Sequence, residues 1–165
     1  MMSDPELIKT AQHLKDQGNI KFKEKAFKIA EGQYKDALSH AETVKNDTPE
    51  LSKLKIAILQ NMSVCTNNTG DYRDTVRNCG KAIQIDNNAA KALYLRSVAY
   101  MNLGELDDAM ADIKSAIKIS PQDTNLRAQF ENIKKERSSK AQKQKASLAA
   151  FFSQGVYNDK SSVKV

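Results

Sequence analysis

Apolar and small residues recur along the chain at the three- and four-residue intervals of amphipathic helices, interrupted by short segments rich in glycine, proline, asparagine and aspartate. Helix starts are indicated at Pro5 and Pro49, each preceded by a polar capping residue and followed by glutamate. The pattern predicts seven helices, over residues 5–24, 27–45, 48–67, 72–85, 89–102, 106–119 and 124–152.

Residues 56–87 and 90–121 carry the same pattern twice, 34 positions apart. The matched pairs include Leu59 and Leu93, Ser63 and Ser97, Gly70 and Gly104, Ala82 and Ala116, and Ile85 and Ile119. A fixed period near 34 with small residues at set places indicates helix–turn–helix solenoid repeats. The sequence therefore predicts an all-α stack with a concave groove, and directs attention to what the groove binds.

A first repeat, over about 11–46, is harder to see. Gly18 aligns with Ser63 and Ser97. The same alignment groups Ala30 with Thr75 and Ala109, Tyr34 with Cys79 and Ile113, and Ala37 with Ala82 and Ala116. The step from the first repeat to the second is 45 residues, so the added residues are expected to lengthen the second and third helices around 46–55.

Three segments follow from this pattern: a three-repeat domain over 5–122, a capping and basic helix over 123–152, and a flexible tail over 153–165. Leu126, Phe130 and Ile133 form one stripe of the seventh helix and are expected to cover the apolar face of the last repeat.

The net charge of +6 is concentrated in the seventh helix. Residues 134–145 contain one acid, Glu136, and six basic residues, which are Lys134, Lys135, Arg137, Lys140, Lys143 and Lys145. The segment ends in Leu148, Phe151 and Phe152. It is compatible with a solvated helix, with a calmodulin-like partner, or with a nucleic acid or anionic surface. No recognition helix or aromatic-studded groove supports nucleic acid.

The two cysteines, Cys65 and Cys79, fall on apolar faces of predicted helices. They are interpreted as buried small residues in a reducing compartment, with a disulfide or metal pair as the alternative. No apolar signal region or membrane-length run is visible, so the sequence predicts no membrane association and a cytosolic protein, with the nucleus as a further compartment. His13 and His40 lack catalytic partners at interpretable spacing, so we expect surface roles and no enzyme activity.

Short motifs in each repeat resemble the tetratricopeptide repeat (TPR). The resemblance covers about residues 8–135. Lys15-Asp16-Gln17-Gly18-Asn19, Gly70-Asp71-Tyr72 and Lys91-Ala92-Leu93-Tyr94 are similar to the three-repeat domain of chaperone cofactors. The long second and third helices and the basic seventh helix look most like the C-terminal domain of the large FKBP-type and cyclophilin-type immunophilins. The resemblance implies a right-handed superhelix.

The resemblance also implies a ligand. In this family the groove binds the extreme C-terminus of cytosolic heat-shock chaperones, which ends in Glu-Glu-Val-Asp. Its last residue carries two carboxylates, and charge-assisted bonds to them are each worth about 1.5–3 kcal/mol. Residues of this chain that match the family's carboxylate clamp are Lys15, Asn19, Asn61 and Lys91. The implied role is a co-chaperone module for the ninety-kilodalton heat-shock chaperone, and no cofactor is implied.

One clamp position departs from the family pattern. Relatives usually carry Arg or Lys four residues after the equivalent of Lys91, where this chain has Leu95 and places its arginine at Arg96. A one-residue offset rotates a side chain by about 100° around a helix, so Arg96 is expected to point away from the groove. Phe22, Leu95 and Arg96 are candidate groove-lining residues. The loss of one cation predicts a clamp weakened by about 1–3 kcal/mol.

Two alternative functions remain open. Immunophilins place a prolyl isomerase domain before the repeats, so the chain could be the TPR part of an isomerase whose catalytic domain is absent from this sequence. An apolar Leu95 in the groove also favours a scaffold that binds a non-chaperone peptide.

Overall fold

Seven helices and no strand form the part of the chain that the structure, a computed structural model, describes: the backbone of residues 1–160 and the side chains of residues 1–154. The helices are α1 (Asp4–Lys23), α2 (Phe27–Thr43), α3 (Pro49–Thr69), α4 (Tyr72–Ile85), α5 (Ala90–Asn102), α6 (Leu106–Ile119) and α7 (Thr124–Lys160). The predicted all-α class is confirmed.

The last helix is longer than predicted. It continues past Phe152 to Lys160 because that stretch contains no proline, and its one glycine, Gly155, weakens a helix by only about 1 kcal/mol. The first part of the predicted flexible tail is therefore helical. The remainder of that prediction, residues 161–165, lies outside the described residues.

The helix ends follow local chemistry. The Thr48 side chain accepts a hydrogen bond from the Leu51 amide at 3.1 Å and so caps α3 at its start. Gly70 ends the same helix with a φ of 81°, a left-handed conformation that glycine adopts without a Cβ penalty. At α1, the backbone amide and the hydroxyl of Ser3 both donate to the Glu6 carboxylate, at 2.7 and 2.8 Å.

Each helix packs against the next one in the chain, and α1, α3, α5 and α7 also contact one another in that order. The odd-numbered helices therefore form one continuous row. The longer first step of the repeat appears in α2 and α3, which have 17 and 21 residues against 14 in α4 and 13 in α5.

The aligned positions of the three repeats have the same environment. Gly18, Ser63 and Ser97 are all buried, and so are the three sets that follow them. These sets are Ala30, Thr75 and Ala109; Tyr34, Cys79 and Ile113; and Ala37, Ala82 and Ala116. The sets headed by Gly18, Ala30 and Ala37 consist of small residues, which let the helices approach closely, whereas the set headed by Tyr34 varies in size.

The first half of α7 completes the core. Leu126 and Ile133 are buried against α5 and α6, and Phe130 packs beside them, as predicted. Gln129 is also buried, and its Nε2 lies 3.8 Å from the sulfur of Met101. From Lys140 to Gln154 every side chain is exposed.

Both cysteines are free thiols and buried. Cys79 Sγ donates to Ser63 Oγ at 3.2 Å. Burial raises the pKa of each thiol to about 11, which keeps both protonated at neutral pH. The interpretation as buried small residues is confirmed, and the predicted alternative of a disulfide is wrong.

Candidate functional site

A cleft of about 350 Å³ opens along the row formed by α1, α3 and α5. It is lined by Asn19, Phe22, Lys23, Tyr34, Asn61, Val64 and Lys91. Three of the four predicted clamp residues therefore converge on one cavity from three helices, together with the predicted groove residue Phe22. The fourth, Lys15, lies outside this lining.

One face of helix α1 carries a polar stripe, of which Asn19 and Lys23 line the cleft. Lys15, Asn19 and Lys23 follow at intervals of four residues, which places them on one helix face. Lys15 is half-buried, and its Nζ donates to Gln12 Oε1 at 3.2 Å. It stands one turn before Asn19. Lys23, which the sequence reasoning missed, extends the same spacing by one turn and could have been found from it.

The side chains of Asn19 and Asn61 form a direct hydrogen bond in the cleft. Asn61 Nδ2 donates to Asn19 Oδ1 at 3.1 Å, and the hydroxyl of Tyr34 donates to the same oxygen at 2.7 Å. Tyr34 is buried, which raises its pKa to about 12, so its hydroxyl keeps its proton at neutral pH. The repeat alignment grouped Tyr34 with Cys79 and Ile113 and did not predict this contact with Asn19.

Two lysines, Lys23 and Lys91, line the cleft together with the amide pair, and no acidic side chain is among the lining residues. Lys91 is exposed in the first turn of α5. Within residues 1–154, neither Lys91 nor Lys23 has an ion-pair partner. Phe22 and Val64 supply an apolar wall. This arrangement can hold an anionic group through amide and ammonium donors while an adjoining apolar group contacts the wall.

Leu95 and Arg96 do not line this cleft. Arg96 Nε and Nη2 donate to the two carboxylate oxygens of Asp112 at 2.6 and 2.8 Å, and its guanidinium lies 5.8 Å from the ring centre of Tyr100. The arginine is thus engaged with α6, in line with the predicted 100° rotation. Leu95 is only 7% exposed and belongs to the main core cluster, so the position four residues after Lys91 is occupied by an apolar core residue.

The basic end of α7 is separate from the cleft. Arg137 pairs with Asp107 at 2.9 Å, and Lys140 Nζ donates to the Gly104 carbonyl at 3.2 Å, which ties the middle of α7 to the start of α6. Beyond this point Leu148, Phe151 and Phe152 are 56%, 71% and 62% exposed. Lys143, Lys145 and these apolar side chains therefore form an exposed helix surface.

No helix within residues 1–160 combines the length and apolarity needed to cross a bilayer. Among the same residues, no three His, Cys, Asp or Glu side chains are grouped so that they could hold a metal ion.

A protein-family model described as "Tetratricopeptide repeat" matches residues 69–129. Among curated proteins, FK506-binding protein 59 of Drosophila melanogaster is 26% identical over 159 residues, which are 96% of this chain and 36% of that protein. Peptidyl-prolyl cis-trans isomerase FKBP4 of Bos taurus is 28% identical over 133 residues, covering 78% of this chain and 29% of that protein. The chain thus spans about a third of the length of these relatives.

Solved structures agree with these matches. The C-terminal TPR-containing domain of an FK506-binding protein from Plasmodium falciparum is 27% identical, with a TM-score of 0.77 over 86% of this chain and 97% of that one. The Hsp90 co-chaperone Cns1 of Saccharomyces cerevisiae is 25% identical, with a TM-score of 0.78 over 90% of this chain and 46% of that one. The myosin chaperone UNC-45 of C. elegans, in complex with an Hsp90 peptide, is 29% identical, with a TM-score of 0.71 over 86% of this chain and 15% of that one.

The calmodulin partner predicted for the basic end of α7 gains no support from these relatives. The seven-helix fold, the buried repeat positions and the matches point the same way. The chain has the seven-helix fold of, and is similar in sequence to, the tetratricopeptide-repeat domains of FKBP-type immunophilins and Hsp90 co-chaperones.

Proposed function

We propose that the chain is the interaction module of a co-chaperone. It binds the C-terminal Glu-Glu-Val-Asp peptide of the ninety-kilodalton heat-shock chaperone, with Lys15, Asn19, Asn61 and Lys91 as the carboxylate clamp. The observation that carries the proposal is the convergence of Asn19, Asn61 and Lys91, from three helices, on one cleft without acidic lining.

The polar and apolar sides of the cleft suit the last two residues of such a peptide. The terminal aspartate carries two carboxylates, for which the amide and ammonium groups provide donors. The valine before it can contact the apolar wall of Phe22 and Val64. The related UNC-45 structure, which contains an Hsp90 peptide, supports a peptide ligand for this kind of domain.

Calorimetry tests the proposal directly. The chain is titrated with a peptide that ends in Glu-Glu-Val-Asp, once with a free C-terminus and once with a C-terminal amide. We expect binding of the first peptide and at least about tenfold weaker binding of the second, because the amide removes one charged acceptor. Equal affinity for the two peptides, or no binding of either, would reject the clamp.

Single substitutions then locate the site. We expect Lys91→Ala and Lys15→Ala each to weaken binding by about ten- to hundredfold, the cost of one charge-assisted bond. His40→Ala is the control, because His40 lies on α2 and bonds only to the Asp36 carbonyl at 2.8 Å. An equal loss for His40→Ala would show that the effects are not specific to the cleft.

A second candidate is a scaffold for a peptide that is not the chaperone terminus, and the reason to consider it is that position 95 holds a buried leucine and supplies no cation to the cleft. Leu95→Arg restores a cation at the position where relatives carry one. A chaperone clamp should then gain affinity for the free-carboxylate peptide, whereas the scaffold should not. Because Leu95 is part of the core, circular dichroism must first establish that the variant is folded.

The chain is also a candidate for the TPR part of a longer prolyl isomerase. The FKBP4 relatives that motivate this idea match over 29% of their length. We propose that the chain itself is not an enzyme. A prolyl isomerisation assay on a proline peptide should show the uncatalysed rate, and catalysis by the purified chain would contradict this assignment.

A further inference from the structure

We infer that Tyr34 is a positioning residue for the cleft: its hydroxyl fixes the Asn19 side-chain amide so that Nδ2 faces the cleft as a donor for an anionic ligand. The inference rests on the proposed function for the identity of that ligand. The network itself lies within the free protein and can be measured without a ligand.

The first argument is the convergence of two donors on one atom. An asparagine side chain has one acceptor oxygen and one donor nitrogen. Both Tyr34 Oη and Asn61 Nδ2 donate to Asn19 Oδ1, at 2.7 and 3.1 Å. A flipped Asn19 amide would place its Nδ2 against Asn61 Nδ2, two donors facing each other, whereas the observed orientation satisfies both contacts. Within residues 1–154 no protein group accepts a hydrogen bond from Asn19 Nδ2, which leaves it for the cleft.

The second argument is that packing alone does not require a tyrosine here. The aligned positions in the other two repeats, Cys79 and Ile113, are equally buried without reaching the cleft. Opposite Cys79 stands Ser63, which bonds to its sulfur at 3.2 Å. The first repeat instead combines a tyrosine with a glycine, next to the predicted clamp residue Asn19.

Gly18 makes this contact geometrically feasible. A Cβ at Gly18 would lie 2.5 Å from Tyr34 Cε1 and 2.7 Å from Cδ1, closer than carbon atoms pack. The absence of a side chain lets the Tyr34 ring lie against the α1 backbone. The hydroxyl then reaches Asn19, the next residue along α1.

The third argument is the burial of the hydroxyl. Tyr34 is 1% exposed, so water cannot readily replace a lost bond. Its pKa is raised to about 12 by burial, and the group therefore remains a donor at neutral pH.

The test uses Tyr34→Phe, which keeps the ring and removes the hydroxyl. We expect this variant to bind the free-carboxylate Glu-Glu-Val-Asp peptide about five- to thirtyfold more weakly than the wild type. Asn19→Ala should weaken binding at least as much. If Tyr34 acts through Asn19, adding Tyr34→Phe to Asn19→Ala should change the affinity by less than about twofold. The same loss in both backgrounds would overturn the positioning role.

Tyr72→Phe is the matched control, because Tyr72 begins α4 and does not line the cleft. It should leave peptide affinity unchanged. All titrations are made well below the melting temperature of each variant, so that a loss of stability does not register as a loss of binding.

Nuclear magnetic resonance of the free chain provides the ligand-independent readout. In the wild type the Asn19 side-chain NH₂ should be rigid, with an order parameter near that of the backbone, and Tyr34→Phe should lower it. An unchanged order parameter would overturn the inference. If the wild type fails to bind the peptide, the proposed function fails, while this measurement still decides whether Tyr34 holds Asn19.

Discussion

At the residue scale, single contacts decide whether an equivalent position packs or also serves the cleft. Tyr34, Cys79 and Ile113 occupy the same place in three helix pairs, yet only the tyrosine reaches a cleft residue, Asn19 at 2.7 Å. Arg96 illustrates the reverse case. Arg96, the arginine near the clamp position, is held in an ion pair with Asp112 on α6. The hydrogen-bond donors of the cleft are therefore lysines and amides.

Gly18→Ala should destabilise the chain by about 1–3 kcal/mol, because its Cβ would overlap the buried Tyr34 ring. Gly32→Ala is the matched control: it also lies within a helix, and an added Cβ meets nothing within 4 Å. The control should gain up to about 1 kcal/mol from helix propensity. Urea unfolding of both variants measures the difference, and equal shifts would contradict the packing argument.

Cys79 should make stability fall at alkaline pH. Its pKa is raised from 9.0 to about 11 in the folded chain, so the unfolded thiol ionises first. Between these two values the folded state binds more protons, and the free energy of unfolding drops as the pH rises, by about 1.4 kcal/mol per unit for one such group. Well below pH 9 the thiol is protonated in both the folded and the unfolded chain, so it causes no change of stability with pH there.

Urea unfolding at pH 8.5 and pH 10.5 measures this fall, and Cys79→Ser, which does not titrate in this range, should show a smaller one. Tyr34 and Cys65, whose pKa values are also raised by burial, still contribute in both proteins. Identical falls in the wild type and the variant would show that the Cys79 thiol does not couple to folding.

At the scale of the helices, α7 has two parts with different physical roles. Its first half places Leu126 and Ile133 in the core of the last repeat, whereas every side chain from Lys140 to Gln154 is exposed. The hydrogen bond from Lys140 to the Gly104 carbonyl lies at the boundary. The helix is therefore a core element that continues outwards as a basic surface.

Ile133→Ala should cost about 2–4 kcal/mol, since it removes a fully buried side chain and leaves a cavity. Leu148→Ala, on the same helix but 56% exposed, should change stability by less than about 0.5 kcal/mol. Thermal or urea unfolding compares the two. A large loss for Leu148→Ala would mean that the second half of α7 packs on the body.

At the scale of the whole molecule, stability is carried by contacts between neighbouring helices. Contacts run from each helix to the next and along the row of odd-numbered helices. Such a stack holds its middle helices from two sides and its last helix from one. Local opening should therefore be easiest at the exposed end of α7.

Hydrogen exchange followed by mass spectrometry should reveal this gradient. Amides of α3, which packs against α1, α2, α4 and α5, should exchange most slowly, and amides beyond Lys140 should exchange fastest. Protection of residues 141–154 equal to that of α3 would contradict the expected gradient and indicate that this surface is covered.

The sequence predicted best those features that depend on interactions between residues close together in the chain. Helices α4 and α6 begin and end at the predicted residues, because the glycine turns before them, at Gly70 and Gly104, and the polar segments after them act within a few positions. The 34-residue offset identified the buried small positions, since a repeated contact imposes a repeated residue type. The end of α7 was misplaced because no local stop signal occurs there.

Residue type and spacing were enough to predict the helices, the repeat and the positions at which helices cross. The folded chain was needed to see that Asn19, Asn61 and Lys91 share one cleft, that Tyr34 reaches Asn19, and that Leu95 is buried. These contacts depend on how each helix is rotated and packed against its neighbours. That geometry is set by all the crossings together, and no single spacing in the chain specifies it.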